Sequence, residues 1–209
     1  MKPVLSGAFA CVVLLSACSE APKKSAEAKK EAEAPPEPIT GASGFFKMYT
    51  MARTWAPDCE ALTMRSIHLP EVKYEPGKAA AWEARFVSRS GRKARSYTYS
   101  VVEAPGNLHK GVFAGLEEGW SGPSGAQEPF SFQAVKKDTD AAYQTAMERG
   151  KNAKQYVKKN LDKKVLFILE RPKRLQSVAW RVVWGESVST SNYSVYVDAS
   201  TGNYLETIR

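Results

Sequence analysis

Hydrophobic residues are distributed unevenly along the chain. Val4–Leu15 is apolar apart from Ser6 and Gly7, and residues 19–40 hold no large apolar side chain except Ile39. From Gly41 onward the pattern becomes periodic. In "SGFFKMYTMARTWAP" one helical face carries Phe45, Met48, Tyr49, Ala52 and Trp55, and Pro57 ends the run. In "TDAAYQTAMERGKNAKQYVKKN" the stripe is Ala142, Ala146, Gly150, Ala153 and Val157. Asp138 or Thr139 is placed to cap this second helix, and Lys158 and Lys159 suit its C-terminal dipole. Gly150 on the stripe predicts a close approach to a sheet, despite a helix cost of about 1 kcal/mol.

Strand patterns follow each helix. "EALTMRSIHL" and "KKVLFILER" come first, and the continuous apolar run of the second suits a central strand or one covered on both faces. Strands with a period of two come next. Trp82, Ala84 and Phe86 share one face of "AWEARFVS", as Trp180, Val182 and Trp184 do in "AWRVVW". The strands ending each half carry Tyr97, Tyr99 and Val101, or Tyr193, Val195 and Val197, and Gly91 and Gly185 punctuate the connections. "YTYSVVEAPGN" (97–107) parallels "YSVYVDASTGN" (193–203). The body therefore reads as duplicated. The predicted fold class is α+β, with two similar units, each a helix packed on an antiparallel sheet of three to four strands. The expected boundaries are 1–17 for a leader, 18–40 for a tether, 41–119 and 138–209 for the units, and 120–137 for their connection.

The leader has the order of an export signal, with Lys2 before an apolar run too short to span a bilayer. "LSAC" (15–18) resembles the lipobox of bacterial lipoproteins. That resemblance implies that Cys18 is lipidated and becomes the mature N-terminus. Ser19, where lipoproteins kept at the inner membrane often have Asp, points in a two-membrane cell to the periplasmic face of the outer membrane. The predicted membrane contact is thus the acyl group on Cys18. The tether balances five acidic residues against the basic ones and cannot bury a core. Its Pro-rich exit favours extended geometry.

"AWRVVWGE" followed by "YSVYVDASTGNYLET" resembles a PepSY domain over about the last 70 residues. Asp198, Ala199, Thr201 and Gly202 match that family's ending. The first unit departs from it, with Glu103 for the Asp and "APGN" for "ASTGN". The resemblance implies a PepSY/cystatin-like fold and a non-catalytic binding or regulatory module, with peptidase inhibition among its implied roles. It implies no cofactor and supplies no catalytic residue.

The chain carries a net charge of +8, all of it in the body, because residues 1–40 hold equal numbers of acidic and basic side chains. "SRSGRKARS" concentrates Arg89, Arg92, Lys93 and Arg95 on one hairpin, whereas the corresponding "GESVSTSN" has none. Two readings stand: a solvated hairpin tip, or a site for an anionic envelope polymer, lipid phosphates or an acidic envelope protein. Export argues against nucleic acid. His68 and His109 are the only histidines and lack the spacing of a metal site. Neither a nucleophile elbow nor a phosphate loop is present, so no enzyme is expected, although an enzyme of unknown class stays open on fold grounds. Asp198 is read as a turn former. Cys59 is read as a buried small residue, and Trp120 as a binding anchor or as packing over the seam between the units.

Overall fold

The computed structural model describes residues 35–209 apart from Ser124 and Ala126. The leader, Cys18 and most of the tether lie outside the described residues. Ten strands and three α-helices are described: β1 (Ile39–Thr40), α1 (Gly41–Trp55), β2 (Glu60–Ile67), β3 (Lys78–Ala79), β4 (Ala81–Ser88), β5 (Lys93–Ser100), β6 (Gly111–Gly119), α2 (Thr139–Arg149), α3 (Ala153–Lys159), β7 (Val165–Glu170), β8 (Ala179–Trp184), β9 (Ser194–Asp198) and β10 (Tyr204–Ile208). Eight strands form one antiparallel sheet in the order β10-β9-β8-β7-β2-β4-β5-β6, and β1 pairs with β3 beside it. The protein is thus α+β. The expected pair of sheets is instead a single sheet, because β2 and β7 pair edge to edge.

The helices lie on one face of the sheet, where period-two alternation sends the large apolar side chains. Trp82, Phe86, Tyr97, Phe167, Trp180 and Trp184 are buried there with Phe45, Met48 and Ala146. Each half uses its Trp in the same way. Trp82 Nε1 donates to the Ile39 carbonyl at 3.3 Å, and Trp180 Nε1 donates to the Lys137 carbonyl at 2.8 Å. Both bonds span 43 residues. The two indoles meet edge to face with centroids 6.4 Å apart. The ladder also refines the sequence parallel. Tyr97 lies opposite Ala84, and Val195 lies opposite Val182, so Tyr97 corresponds to Val195 rather than to Tyr193.

Two further expectations change. The second helix is broken: α2 ends at Gly150, and Asn152, at φ 61°, turns the chain into α3. The predicted close approach holds, since a Cβ on Gly150 would lie 2.9 Å from Val195 Cγ2 on β9. A fourth strand, β6 (Gly111–Gly119), completes the first half within the expected three to four strands and ends just before the expected connection at residue 120. The connection is itself packed: Phe130 is buried and its amide donates to the Ala61 carbonyl at 2.8 Å. The folded body also begins before Gly41, because Ile39 and Thr40 pair with Ala79 and Lys78.

Candidate functional site

The face of the sheet away from the helices is partly covered by loops, with a small second core around Leu69, Val72, Ala81 and Leu108. Elsewhere on that face a groove of about 880 Å³ lies along the seam between the halves. Its origin is the short β2–β7 pairing, which covers only Thr63–Arg65 against Ile168–Glu170. At the next position the hydroxyl of Ser66, rather than a backbone carbonyl, accepts from the Phe167 amide at 2.9 Å. Beyond it the phenol of Tyr74 lies against the Val165 backbone.

The groove floor carries Ile67 from β2 and Leu166 and Ile168 from β7. These are the outward members of strands whose inward members fill the core. The β8–β9 loop forms one wall, with Glu186 and Val188, and His68 and Pro70 form the other. Gly185 anchors that loop: its amide donates to the Lys164 carbonyl at 2.9 Å, and its φ of 148° lies in the range that favours glycine. Three basic side chains line the groove, Arg65, His68 and Lys164. Arg65 is held by Glu83 at 2.6 Å. Partial burial, and then the Lys164 charge, push His68 below its ordinary pKa. Lys164 forms no ion pair among the described residues.

On the same face of β7, beyond Ile168, Glu170 is buried. It accepts from Tyr196 Oη at 2.6 Å and from the Gln127 side chain. Burial, with the adjacent Glu170 carboxylate, pushes the Tyr196 phenol up to about 12. The arrangement fixes the chain between the halves onto the sheet.

The predicted basic hairpin is largely matched by nearby acceptors. Arg89 Nε meets Glu60 at 2.5 Å, Lys93 meets Glu117 at 3.1 Å, and Arg95 Nε donates to the Gly115 carbonyl at 2.7 Å. Arg92 occupies the turn at φ 50°. Asp58 holds the tip by accepting from Ser88 Oγ at 2.8 Å and from the Ser90 amide at 3.1 Å. Trp120 belongs to this hairpin and not to the seam. Its amide donates to the Arg92 carbonyl at 2.8 Å, and the Arg89 guanidinium lies 6.0 Å from its ring centroid.

Asp198 forms the expected turn. Its Oδ1 accepts from the Ser200 amide at 2.8 Å, Ser200 Oγ at 2.7 Å and the Thr201 amide at 2.8 Å. Burial raises its pKa, but these bonds outweigh burial and leave it below the ordinary value. Cys59 is a buried free thiol, and burial pushes its pKa up to about 11. His109 bonds Glu103 at 3.1 Å on the surface. Among the described residues no three His, Cys, Asp or Glu side chains are grouped to hold a metal, and no helix is long and apolar enough to cross a membrane.

Sequence reasoning missed the groove because its lining comes from separate segments. One signal was present: Val165–Leu169 is apolar on both faces, and on a sheet with helices on one side only, Leu166 and Ile168 need a second cover.

No family model matches the sequence, and no curated protein matches it. Among solved structures, the chain is similar to a crystal structure of a candidate lipoprotein from Clostridium difficile 630. The two share 10% identity, with 78% of this chain and 91% of that chain covered at a TM-score of 0.46. That likeness is too slight to carry a function from one chain to the other.

Proposed function

We propose that this chain is an exported lipoprotein, anchored through an acylated Cys18, whose two PepSY-like halves form a non-catalytic binding module. In a cell with two membranes, Ser19 in place of an inner-membrane Asp favours the periplasmic face of the outer membrane. The lipobox-like LSAC supports the anchor. The equal reach of Trp82 and Trp180 to carbonyls 43 residues upstream supports two related halves.

The observation that carries the binding role is the seam groove. It is an apolar-floored concavity with a few polar groups at its rim, the usual form of a ligand site. It lies on the face opposite Ile39–Thr40, which pair with β3 and, through the Ile39 carbonyl, accept from the Trp82 indole on the helix side. The groove is a better binding site than the basic hairpin, whose cations are largely engaged within the fold.

A photocrosslinking side chain at exposed Val188, introduced in cells that make the full chain, tests this reading. A discrete envelope adduct is expected, absent when the same group replaces Leu116 on β6. The same adducts from both positions would overturn it. Cys18→Ser should abolish lipid labelling, and labelling that survives would remove the anchor.

A further inference from the structure

We infer that the seam groove binds a single-chain anionic lipid, with its acyl chain along Ile67, Leu166 and Ile168 and its carboxylate at the Lys164 end. This rests on the groove being the binding site of the module. Three observations on the groove select this chemistry.

The first is what the groove cannot offer. An extended peptide adding to a strand edge needs free backbone groups. The Phe167 amide, the first to face β2 beyond the paired rungs, is already engaged by the Ser66 hydroxyl, and the Tyr74 phenol stands at the Val165 backbone. A ligand with no hydrogen-bonding groups along its length loses nothing on such a floor. A peptide would leave its own amides unsatisfied, each at a real desolvation cost.

The second is shape. The floor follows β7 from Lys164 to Ile168, about 13 Å of strand at ~3.3 Å per residue. It is a trough for something long and narrow. Arg65, already paired with Glu83, lies opposite Ile168 at the far end.

The third is charge. Lys164 is the basic side chain of the groove with no acidic partner among the described residues, and His68 lies close enough to feel its charge. Glu186 is the opposing carboxylate on the β8–β9 wall. It weakens an anion without cancelling the site, and this gives a variant of opposite sign.

Calorimetry on the purified full chain tests the assignment, with laurate as probe below its micelle concentration. Laurate should bind at least tenfold more tightly than dodecyltrimethylammonium. Shortening the chain to decanoate should cost about 15-fold, or about fourfold per methylene. Lys164→Glu should weaken laurate at least fivefold, and Glu186→Gln should tighten it. Val188→Trp fills the groove from an exposed position and should abolish binding with an unchanged urea midpoint.

Dodecyl phosphate and laurate binding alike would keep the site and widen the head group to any small anion. No laurate binding, equal binding of the cationic detergent, or binding indifferent to Val188→Trp would overturn the inference. If laurate fails while the Val188 crosslink to an envelope protein persists, the binding module stands and only the lipid ligand falls.

Discussion

Asp138 Oδ1 accepts a hydrogen bond from the Ala42 amide at 2.8 Å, across 96 residues of chain. The same oxygen accepts from the Thr139 amide at 2.7 Å. One carboxylate therefore caps α1 in the first half and α2 in the second. Beside it, Thr139 Oγ1 accepts from the Gly41 amide at 2.9 Å and donates to the Gly77 carbonyl. The two helix N-termini meet at this point, and the positive ends of both dipoles face Asp138.

Asp138→Ala should therefore cost more than an ordinary cap, about 2 kcal/mol, at the upper end of the range for losing one. Asp138→Asn keeps an acceptor oxygen and should recover most of that loss. Urea unfolding followed by circular dichroism measures both variants, and a cost for Asp138→Ala within error of zero would show that the shared cap is dispensable.

Gly44 faces the Trp82 indole, where an added Cβ would lie 2.7 Å from Cδ1. Two effects oppose each other in Gly44→Ala. Helix propensity gains about 1 kcal/mol. Overpacking a buried aromatic costs about 1–3 kcal/mol. Because Trp82 is fixed by its bond to Ile39 and its contact with Trp180, it has little room to yield. A net loss is expected, seen as a lower urea midpoint, whereas a higher midpoint would mean that the indole moves freely.

Asp198 has a depressed pKa, so its turn contributes stability that is fully present above the ordinary value of 3.8. That contribution falls away as pH drops through the lower folded value. Unfolding free energy measured from pH 6 down to pH 2 should fall less steeply in Asp198→Asn than in the parent. Parallel profiles would remove Asp198 from the acid response.

His68 reports on the groove. Its pKa is lowered by burial and then by Lys164, with Glu71 opposing. Arg65 and Glu186 are the other charges lining the groove. Lys164→Gln removes one depressing contribution, so the His68 pKa should rise. Proton NMR of the imidazole C2–H gives the value directly, and an unmoved titration would place Lys164 away from the ring.

Cys59 should resist thiol reagents in the folded protein. At pH 8, three units below a pKa of about 11, only about one part in a thousand is thiolate, before burial slows access. Labelling with a chromogenic disulfide should be slow in buffer and prompt in urea. Prompt labelling in buffer would show that the α1–β2 loop opens readily.

Much of the fold was legible because the signal is local. The α1 face around Phe45, Met48 and Ala52, and the alternation of Trp82, Ala84 and Phe86, are set by periods of 3.6 and 2 within a few residues. The joining of β2 to β7 has no such local mark, because its partners lie about a hundred residues apart. The break at Gly150 was hidden because the apolar stripe continues through it. The hairpin cations were misleading for the same reason as the sheet: Glu60 and Glu117, which engage Arg89 and Lys93, come from other strands. The groove is a by-product of the seam, so it became visible only once the seam was known.

The entry of the chain at Ile39 has a mechanical consequence. A load applied upstream of Pro35 is not delivered to an outer strand, where a sheet peels one rung at a time. It arrives mid-sheet, at two rungs to β3, the Trp82 indole and the helix start packed against Thr139 and Trp180. Tension is shared between the two halves before either can yield, so stretching should rupture the body in one step instead of unravelling it half by half.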